Sequence, residues 1–406
     1  MNTALNILYI AHRVPFPPNK GEKIRTFHQL EHLTNQGHNL TILFPADSEE
    51  DTRLGEELAV HLKCDVSSVR LPAKPVRLGK ALVRREPLSV GNFYAPEMQT
   101  MIDGLFDQTV FDAIVFTASS VAKYAFNSRH DLSSFPNTQL VMDFMDLDSD
   151  KWQQYARQAG WPMRWVYTRE ARVLSDYEKR INEAFNASVF VAEAEADLFR
   201  QRTGNPERVH AIENGVDTKA YRPSETAADQ PAPAFLFTGV MDYKPNVDAV
   251  LWFTEHVWPK LLERYPTATF VICGMNPTPE ISALASTPGI RVTGFVDEIL
   301  PFYHEASVFV APFRLARGIQ NKILQAFACG LPVVTTTKGL EGLDATPGEH
   351  LLVADEADAF FAHILHLLEE PVRFNAVRQA ALNKVLQRYS WNGVLTKFNS
   401  LLTGEA

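Results

Sequence analysis

The chain has 406 residues, of which 46% are hydrophobic and 21% are charged, and its formal net charge is −9 at pH 7. This is the composition of a folded globular protein with length enough for two domains, and the negative charge argues against a nucleic-acid partner. No apolar run approaches the roughly 18 residues of a transmembrane helix, and the amino terminus lacks the charged segment of a secretory signal. The three cysteines stand far apart, which is typical of the reducing cytoplasm.

The first fifty residues have the pattern of a strand, a helix and a second strand. Apolar runs at 7–11 and 39–44 predict the strands, and the stretch 22–36 repeats apolar positions near the helical period before Gly37. Three further strands are predicted, at Ala113–Thr117, Leu140–Phe144 and Ala187–Val191. Strands that alternate with helices favour a parallel sheet covered on both faces.

A second alternation follows a polar, proline-rich stretch. Strands are predicted at 234–238, 268–273, 290–293, 307–312 and 333–337, and helices at 246–265 and 319–329. We therefore predict an α/β protein with two Rossmann-like, doubly wound domains that face a cleft. The predicted parts are a first domain at 1–215, a linker at 216–233, a second domain at 234–385, and a carboxyl-terminal helix at 386–406 that crosses back to the first domain.

The stretch from Ser307 to Val334 places a loop and a helix after a buried strand. Ligands of open parallel sheets bind at the carboxyl ends of strands, and a helix amino terminus there offers N–H groups to a phosphate. Gly318 would permit close approach of an anion, Arg317 and Lys322 would add positive charge, and Gln325, roughly in line with Asn321, would reach a sugar hydroxyl. An ordinary crossover with solvated basic residues is the alternative. GxGxxG, Walker, GxSxG and HExxH motifs are absent from the sequence, so a nucleotide would have to bind by another device.

Several fragments, in this order along the chain, resemble a family of enzymes. They are PFPPNKGEKIRTFHQLEHL, ENGVD, FLFTGVMDYKPNVDAVLWF, VTGFVDEILPFYHEASVFVAPF, ARGIQNKILQAFACGLPVVTT and the terminal YSW. Together they resemble the GT-B-fold glycosyltransferases of family 4, which use nucleotide sugars with retention of configuration. ARGIQNK and DFMDLDSDKW are most similar to the sugar transferases associated with exosortase (PEP-CTERM) exopolysaccharide systems.

The resemblance implies an acceptor domain first and a nucleotide-sugar donor domain second. The donor diphosphate would be held by the helix start at Gln320–Lys322 and by the loop around Gly21, and the base would lie near Gly294, Phe295 and Val296. The full implied donor set is Gly21, Lys244, Asn246, Gly294, Phe295, Val296, Gly318, Ile319, Gln320, Asn321 and Gln325. The family usually has two glutamates eight positions apart around this helix, where this chain has Arg317 and Gln325. Gly239 is followed by Val240 instead of a basic residue, and Lys244, Arg317 and Lys322 would replace that charge.

Four aspartates, Asp143, Asp146, Asp148 and Asp150, lie at the end of a predicted strand or just after it. A calcium loop fails because Lys151 stands where glycine is required and Arg157 where glutamate is required. Three interpretations stay open: a metal-binding DxD motif, helix-capping aspartates, or an acceptor-side role in which Asp146 or Asp148 orients or deprotonates the acceptor hydroxyl.

Catalysis in the implied fold is chiefly electrostatic, with the leaving diphosphate taking the acceptor's proton, so we expect no metal and no cofactor beyond the donor substrate. Lys322, Arg317, Asp146 and Asp148 are the candidate catalytic residues. His12, which packing alone would also explain, and Arg25 are further candidates.

The segment Arg70–Arg85 has six cationic residues and no acidic one. With Leu78, Ala81 and Leu82 as an apolar stripe, it is a candidate contact with the inner face of a membrane, and a solvated helix face is the alternative. The sequence thus predicts a cytoplasmic, metal-independent glycosyltransferase that acts on a glycan or lipid-linked acceptor for surface polysaccharide. A nucleotide-sugar epimerase of the same fold and an inactive nucleotide-sugar-binding protein are the competing hypotheses.

Overall fold

A computed structural model describes residues 4–19, 21–131, 135, 137–224, 232–315 and 319–405, apart from the side chain of Gln158. The chain divides into two compact units. The first is Met1–Gly215 together with Val394–Ala406, and the second is Val216–Gly393. Each unit is built on its own parallel sheet.

The first unit has a seven-stranded sheet in the order β3-β2-β1-β4-β5-β6-β7. Its strands are β1 Asn6–Ile10, β2 Asn39–Ala46, β3 Asp65–Arg70, β4 Ala113–Thr117, β5 Gln139–Met145, β6 Ala187–Phe190 and β7 Val209–Ala211. The helices between them are α1 Gly21–Asn35, α2 Glu49–Leu62, α3 Lys74–Val83, α4 Leu88–Asn92, α5 Pro96–Gln108, α6 Lys123–Phe126, α7 Asp148–Gln158, α8 Met163–Ala184 and α9 Glu193–Arg200.

The second unit has a six-stranded sheet in the order β10-β9-β8-β11-β12-β13. Its strands are β8 Ala234–Thr238, β9 Thr269–Cys273, β10 Ile290–Gly294, β11 Val308–Ala311, β12 Val333–Thr335 and β13 Leu352–Val353. Its helices are α10 Lys244–His256, α11 Trp258–Arg264, α12 Pro279–Ala283, α13 Leu300–Glu305, α14 Asn321–Ala328, α15 Thr337–Leu340, α16 Ala357–Glu369 and α17 Pro371–Lys384. The last helix, α18 Trp391–Thr403, begins in this unit and continues in the first.

The central strands are apolar on both faces because helices cover both sides of each sheet. Every residue of β4 and of β8 is buried, which explains why their sequences, AIVFT and AFLFT, are nearly uninterrupted apolar runs. The carboxyl-terminal half of α18 packs in the first unit, where Asn399 Oδ1 lies 2.9 Å from His38 Nε2.

Two predicted helices differ from the structure. The helix predicted at 246–265 is two helices, α10 and α11, because Pro259 cannot donate a backbone hydrogen bond to a continuing helix. The helix predicted from Ile319 begins at Asn321, since Gln320 has a non-helical backbone with ψ of 90°.

The predicted domain limits also need correction. The segment predicted as a linker is built into the second unit from its first residue, because Val216 N donates to Tyr389 O at 2.7 Å. Residues 225–231 of that segment lie outside the described residues. The second unit continues past 385 to Gly393, because Val385 and Tyr389 are buried in its core.

Candidate functional site

The second unit has a topological switch point between β8 and β11. The chain runs from β8 outward to β9 and β10 on one side, and from β11 outward to β12 and β13 on the other. The loops that leave the carboxyl ends of two such strands diverge and open a crevice, which is where ligands of this sheet type bind. Asn246 comes from the helix after β8, and Lys322 comes from the helix after β11.

Lys322 is the central polar group of this crevice. Its Nζ donates to Asn246 Oδ1 at 2.7 Å and lies 4.7 Å and 5.0 Å from the ring centroids of Phe237 and Phe313. Asn246 is held in turn by its own Nδ2, which donates to Val240 O at 2.8 Å. Burial lowers the pKa of Lys322 to about 7, because the charged ammonium loses water without gaining a carboxylate. The amine is therefore positioned to gain its full charge when an anion enters.

Gly239, at the carboxyl end of β8, makes room for this pair. A Cβ at this position would lie 2.7 Å from Lys322 Nζ and 2.6 Å from Asn246 Nδ2, closer than real Cβ contacts allow. The sequence alone does not reveal this need for a glycine, because it arises from side chains 7 and 83 positions further along the chain. Any ligand at this point would lie against bare backbone.

The start of α14 carries the remaining predicted phosphate contacts. Gln320 occupies the N-cap position, Asn321 is exposed as the first helical residue, and Ile319 packs partly against the core. Arg317 and Gly318 lie outside the described residues.

Gln325 is fixed within the second unit by tyrosines. Tyr303 Oη donates to Gln325 Oε1 at 3.1 Å and lies 3.0 Å from Thr238 Oγ1, and Tyr221 also hydrogen-bonds Gln325. Burial raises the pKa of Tyr303 well above its usual value, so its hydroxyl stays protonated as the donor. The carbonyl oxygen of Gln325 is therefore engaged, and its contact with a sugar hydroxyl stays a prediction.

The segment predicted to face the base follows β10. Gly294 has a φ of +68°, a conformation that glycine adopts without strain, and the chain turns there. Phe295 is 68% exposed, and Val296 packs partly against the core. Lys244, the first residue of α10, is exposed. Phe295 therefore presents an aromatic face at this end of the sheet. It follows β10, which lies two strands, or about 9.6 Å, from β8.

The first unit brings His12 and Thr117 together at its own switch point, between β1 and β4. The His12 backbone N–H donates to Thr117 Oγ1 at 3.3 Å, and Nδ1 of the ring lies 3.4 Å from the same oxygen. Burial, with a smaller contribution from Arg13, lowers the pKa of His12 to about 3. The imidazole is therefore neutral at physiological pH and a weak base.

Arg25 serves the fold of the first unit. The side chain is 1% exposed, its Nε donates to Asp143 Oδ2 at 2.7 Å, and its Nη1 donates to Ile212 O at 2.9 Å and Asn214 Oδ1 at 3.1 Å. It thus ties α1 to the end of β5 and to the ENGV segment. Gly21, at the start of the same helix, has open space around its Cβ position.

The aspartate cluster lies at the carboxyl end of β5. Asp146 is exposed, and Asp148 is the first residue of α7. The helix-capping interpretation is wrong, because the N-cap residue is Leu147 and no side chain caps the helix. Burial raises the pKa of Asp148 to about 6, which is suited to accepting a proton near neutral pH.

Glu178 of α8 lies beneath this cluster and is not among the residues that the sequence predicts. It is 1% exposed, and its Oε1 accepts a hydrogen bond from Ser149 N at 3.0 Å. Burial raises its pKa to about 8, so this carboxyl is largely protonated at pH 7. Glu178 is 30 positions from Asp148 in the sequence, so only the fold brings these two carboxyl groups near each other.

Within the described part of the chain, no group of three or more histidines, cysteines, aspartates or glutamates is arranged to hold a metal ion. Over the same residues, no helix has the length and apolar character needed to span a bilayer.

The apolar stripe predicted in Arg70–Arg85 is wrong in part. Ala81 is buried, in close contact with Gly91, and Leu78 is half-buried, so both face the domain. Leu82 of the predicted stripe is exposed, as are Val76 and Val83 of the same helix, which the stripe did not include. Arg77 also points inward, where Nη2 donates to Asp47 Oδ1 at 2.8 Å.

Comparisons with known proteins agree with this architecture. Residues 232–370, all within the second unit, match the family model described as Glycosyl transferases group 1. The O-antigen chain mannosyltransferase B of Escherichia coli is 36% identical over 172 residues, which cover 40% of this chain and 43% of that protein. An uncharacterized 44.6 kDa protein in the cps region of Klebsiella pneumoniae is 20% identical over 370 residues, 89% of this chain and 90% of that protein.

The structure of HepE from Anabaena in complex with UDP has a TM-score of 0.62 to this chain at 14% identity, covering 98% of this chain and 100% of that one. Likeness of this kind confirms the predicted fold class, two Rossmann-like domains of the GT-B type.

Proposed function

We propose that this protein transfers a sugar, with retention of configuration, from a nucleotide diphosphate sugar to a glycan or lipid-linked acceptor. The observation that carries the proposal is the Lys322–Asn246 pair against Gly239, at the switch point of the unit that matches the group 1 glycosyltransferases. A buried amine, bare backbone and a helix amino terminus are what a diphosphate requires.

The same groups would assist the chemistry. As the bond to the sugar breaks, negative charge grows on the diphosphate, and Lys322 and the amides at the start of α14 would stabilise it. We assign Arg317 the same role and Gln325 the positioning of the donor. Because a preorganised site of this kind suffices for a diphosphate leaving group, the proposed reaction uses no metal.

Asp148 is our candidate on the acceptor side. Its carboxyl, with a pKa of about 6, is ionised at pH 7 and would orient the acceptor hydroxyl, with the exposed Asp146 beside it. The cps-region relative and the O-antigen mannosyltransferase support placement in surface-glycan or exopolysaccharide synthesis. We also propose that the protein belongs to glycosyltransferase family 4 and to its exosortase-associated group. We further propose that it is cytoplasmic, with Arg70–Arg85 against the inner face of the membrane.

A thermal-shift panel tests the donor site. UDP, GDP, ADP and their sugar derivatives are added to the wild type and to Lys322→Ala. A ligand at about 100 times its Kd should add roughly 2.7 kcal/mol of apparent stability, and Lys322→Ala should reduce every shift alike. Absence of a shift with every nucleotide would overturn the proposal.

Product analysis separates the competing functions. Transfer that requires an acceptor and keeps the anomeric configuration supports the proposed function. Turnover of the donor alone would indicate an epimerase. Binding without turnover of any donor, with a panel of glycan and lipid-linked acceptors present, would indicate an inactive binding protein.

A further inference from the structure

The tip of the α7–α8 hairpin exposes apolar side chains. Trp161 is 88% exposed and Trp165 64%, with Met163 between them 44% exposed. The chain has six tryptophans, and the other four are buried or half-buried. Large exposed apolar groups gathered at one place mark an interaction surface.

The hairpin beneath this tip is held by its own aromatic core. The Trp152 ring lies 5.4 Å from that of Tyr167 and 5.8 Å from that of Tyr155, so the two helices are clamped together at this point. The indoles at the tip belong to a packed element, and they project from it without contributing to its core.

Helix α3 exposes a second set of apolar residues. Val83 is 84% exposed, Leu82 55% and Val76 49%. The cations Lys80, Arg84 and Arg85 are exposed on the same short helix or directly after it.

The two sets lie side by side on the first unit. Arg169 Nη2 of α8 donates to the carbonyl oxygen of Glu86 at 3.2 Å, and Glu86 directly follows Arg85. The Glu170 carboxylate accepts from the backbone N–H groups of Leu88 and Ser89, at 2.9 Å each. Trp165 is one helical turn from Arg169, about 6 Å along the helix axis, so the hairpin tip adjoins the end of α3.

We call this surface the tryptophan–arginine face; its members are Lys80, Leu82, Val83, Arg84, Arg85, Trp161 and Trp165. Residues 70–85 and 157–169 contain no acidic residue, although the whole chain carries a net charge of −9. Glu86 pairs with Lys123 and Glu170 binds backbone N–H groups. The exposed Asp176 lines a cavity together with Arg85, so one carboxylate lies at the margin of the face. The face is therefore positive and apolar at once.

We propose that the tryptophan–arginine face docks on an anionic lipid bilayer. Indole rings favour the headgroup level of a membrane, where the ring is partly dehydrated and its N–H finds a partner. Exposed lysines and arginines beside them would bind lipid phosphates. The hairpin adds an insertion point to a contact that basic residues alone would make weak and reversible. Docking rests on the membrane location in the proposed function and deepens it by adding the hairpin tip as an insertion point, and it needs no donor.

Vesicle co-sedimentation of the full-length protein tests this. The probes are vesicles of phosphatidylcholine alone and of phosphatidylcholine with about one-third phosphatidylglycerol, in about 0.1 M and about 0.5 M NaCl. The double variant Trp161→Ala/Trp165→Ala should weaken partitioning onto anionic vesicles at least about tenfold. The triple variant Lys80→Ala/Arg84→Ala/Arg85→Ala should weaken the same partitioning roughly a hundredfold at the lower salt concentration. Brominated lipid should quench tryptophan fluorescence in the wild type and not in the double tryptophan variant.

Matched controls remove similar groups elsewhere. Val372→Ala removes a side chain that is 86% exposed, and Lys260→Ala/Arg264→Ala removes exposed cations, all from the second unit. These variants should bind vesicles like the wild type, and the thermal unfolding of every variant should match it because the side chains are exposed.

Several results would overturn the proposal. A wild type that ignores anionic vesicles would do so, as would binding that survives loss of both tryptophans. A dimer that Trp161→Ala/Trp165→Ala dissolves, without vesicle binding, would assign the face to a second copy of the chain. Nucleotide thermal shifts measured on the same samples keep this outcome separate from failure of the proposed function.

Discussion

The lowered pKa of Lys322 predicts that diphosphate binding takes up a proton. In the free protein the amine is half ionised near pH 7, whereas a bound diphosphate would return the pKa toward its ordinary value of about 10.4. Below pH 7 the lysine is charged in both states and affinity should be constant. Above pH 7 the bound state holds more protons than the free state, so affinity should fall.

The size of the effect is set by the two pKa values. Between about pH 7.5 and 9.5, UDP affinity should fall about tenfold per pH unit, equivalent to about 1.4 kcal/mol each. The terminal phosphate of the nucleotide adds little pH dependence there, since its pKa is about 6 and it is almost fully ionised above pH 7.5. At pH 8, about 0.9 proton should be taken up per UDP bound, given a free pKa of about 7.

Calorimetric titration in buffers of different ionisation enthalpy measures this uptake directly. UDP is the first ligand, and GDP or ADP replaces it if the thermal-shift panel selects either base. Lys322→Arg should keep affinity independent of pH, because its guanidinium stays charged. Lys322→Met should bind weakly at every pH. Binding by the wild type without proton uptake at pH 8 would refute this reasoning.

Three further variants test the site and its support. Gly239→Ala should reduce the nucleotide thermal shifts, since its Cβ would lie 2.7 Å from Lys322 Nζ and 2.6 Å from Asn246 Nδ2 and would displace these side chains from the pair that they form. Glu178→Gln should be more stable than the wild type by a few kcal/mol at pH 8, and it should have no such advantage at pH 4.5. The pKa of Glu178 in the folded protein, about 8, is higher than its pKa in the unfolded chain. The free energy of unfolding of the wild type therefore falls as the pH rises between these two pKa values. Arg25→Met should cost about 3–5 kcal/mol in urea unfolding, because Asp143 is left as an unpaired buried charge.

Each of these three variants has a control or an outcome that tests the physical reason given for its effect. Gly204→Ala has open space around its Cβ position and should change little, so equal losses in both glycine variants would contradict the packing argument. A stability difference between Glu178→Gln and the wild type that does not vary with pH would contradict the raised pKa. Arg25→Met/Asp143→Asn should recover part of the stability lost in the single variant.

Buried parallel strands are the elements that the sequence predicts best. The predicted limits of Ala113–Thr117 and Ala234–Thr238 match the structure, because strands covered on both faces leave uninterrupted apolar runs. The edge strand Asp65–Arg70 is not predicted, since its sequence DVSSVR is half-exposed and lacks such a run. Prediction therefore succeeds where burial alone dictates residue type.

The site residues show the opposite limit. Lys322 and the glycines are visible as types in a motif, but the rings that lie against Lys322, Phe237 of β8 and Phe313 just after β11, are ordinary apolar residues in the sequence. Glu178 gives no signal at all, because its burial depends on how α7 crosses α8. The predicted outward face of α3 is wrong for Leu78 and Ala81 and right for Leu82, since a ten-residue helix with apolar residues on more than one side has no unique buried face.

The neutral side chain of Gln325 is connected with the ionisation state of Lys322. The two residues are three positions apart on α14, which places them on neighbouring parts of one helix face. Burial is the cause that lowers the pKa of Lys322, and the neutral Asn246 accepts its hydrogen bond. A carboxylate at position 325 could still accept from Tyr303 and would favour the charged ammonium. Gln325→Glu should therefore raise the pKa of Lys322, weaken UDP binding below pH 7, and remove most of the proton uptake at pH 8. Unchanged proton uptake in this variant would show that position 325 does not act on the lysine.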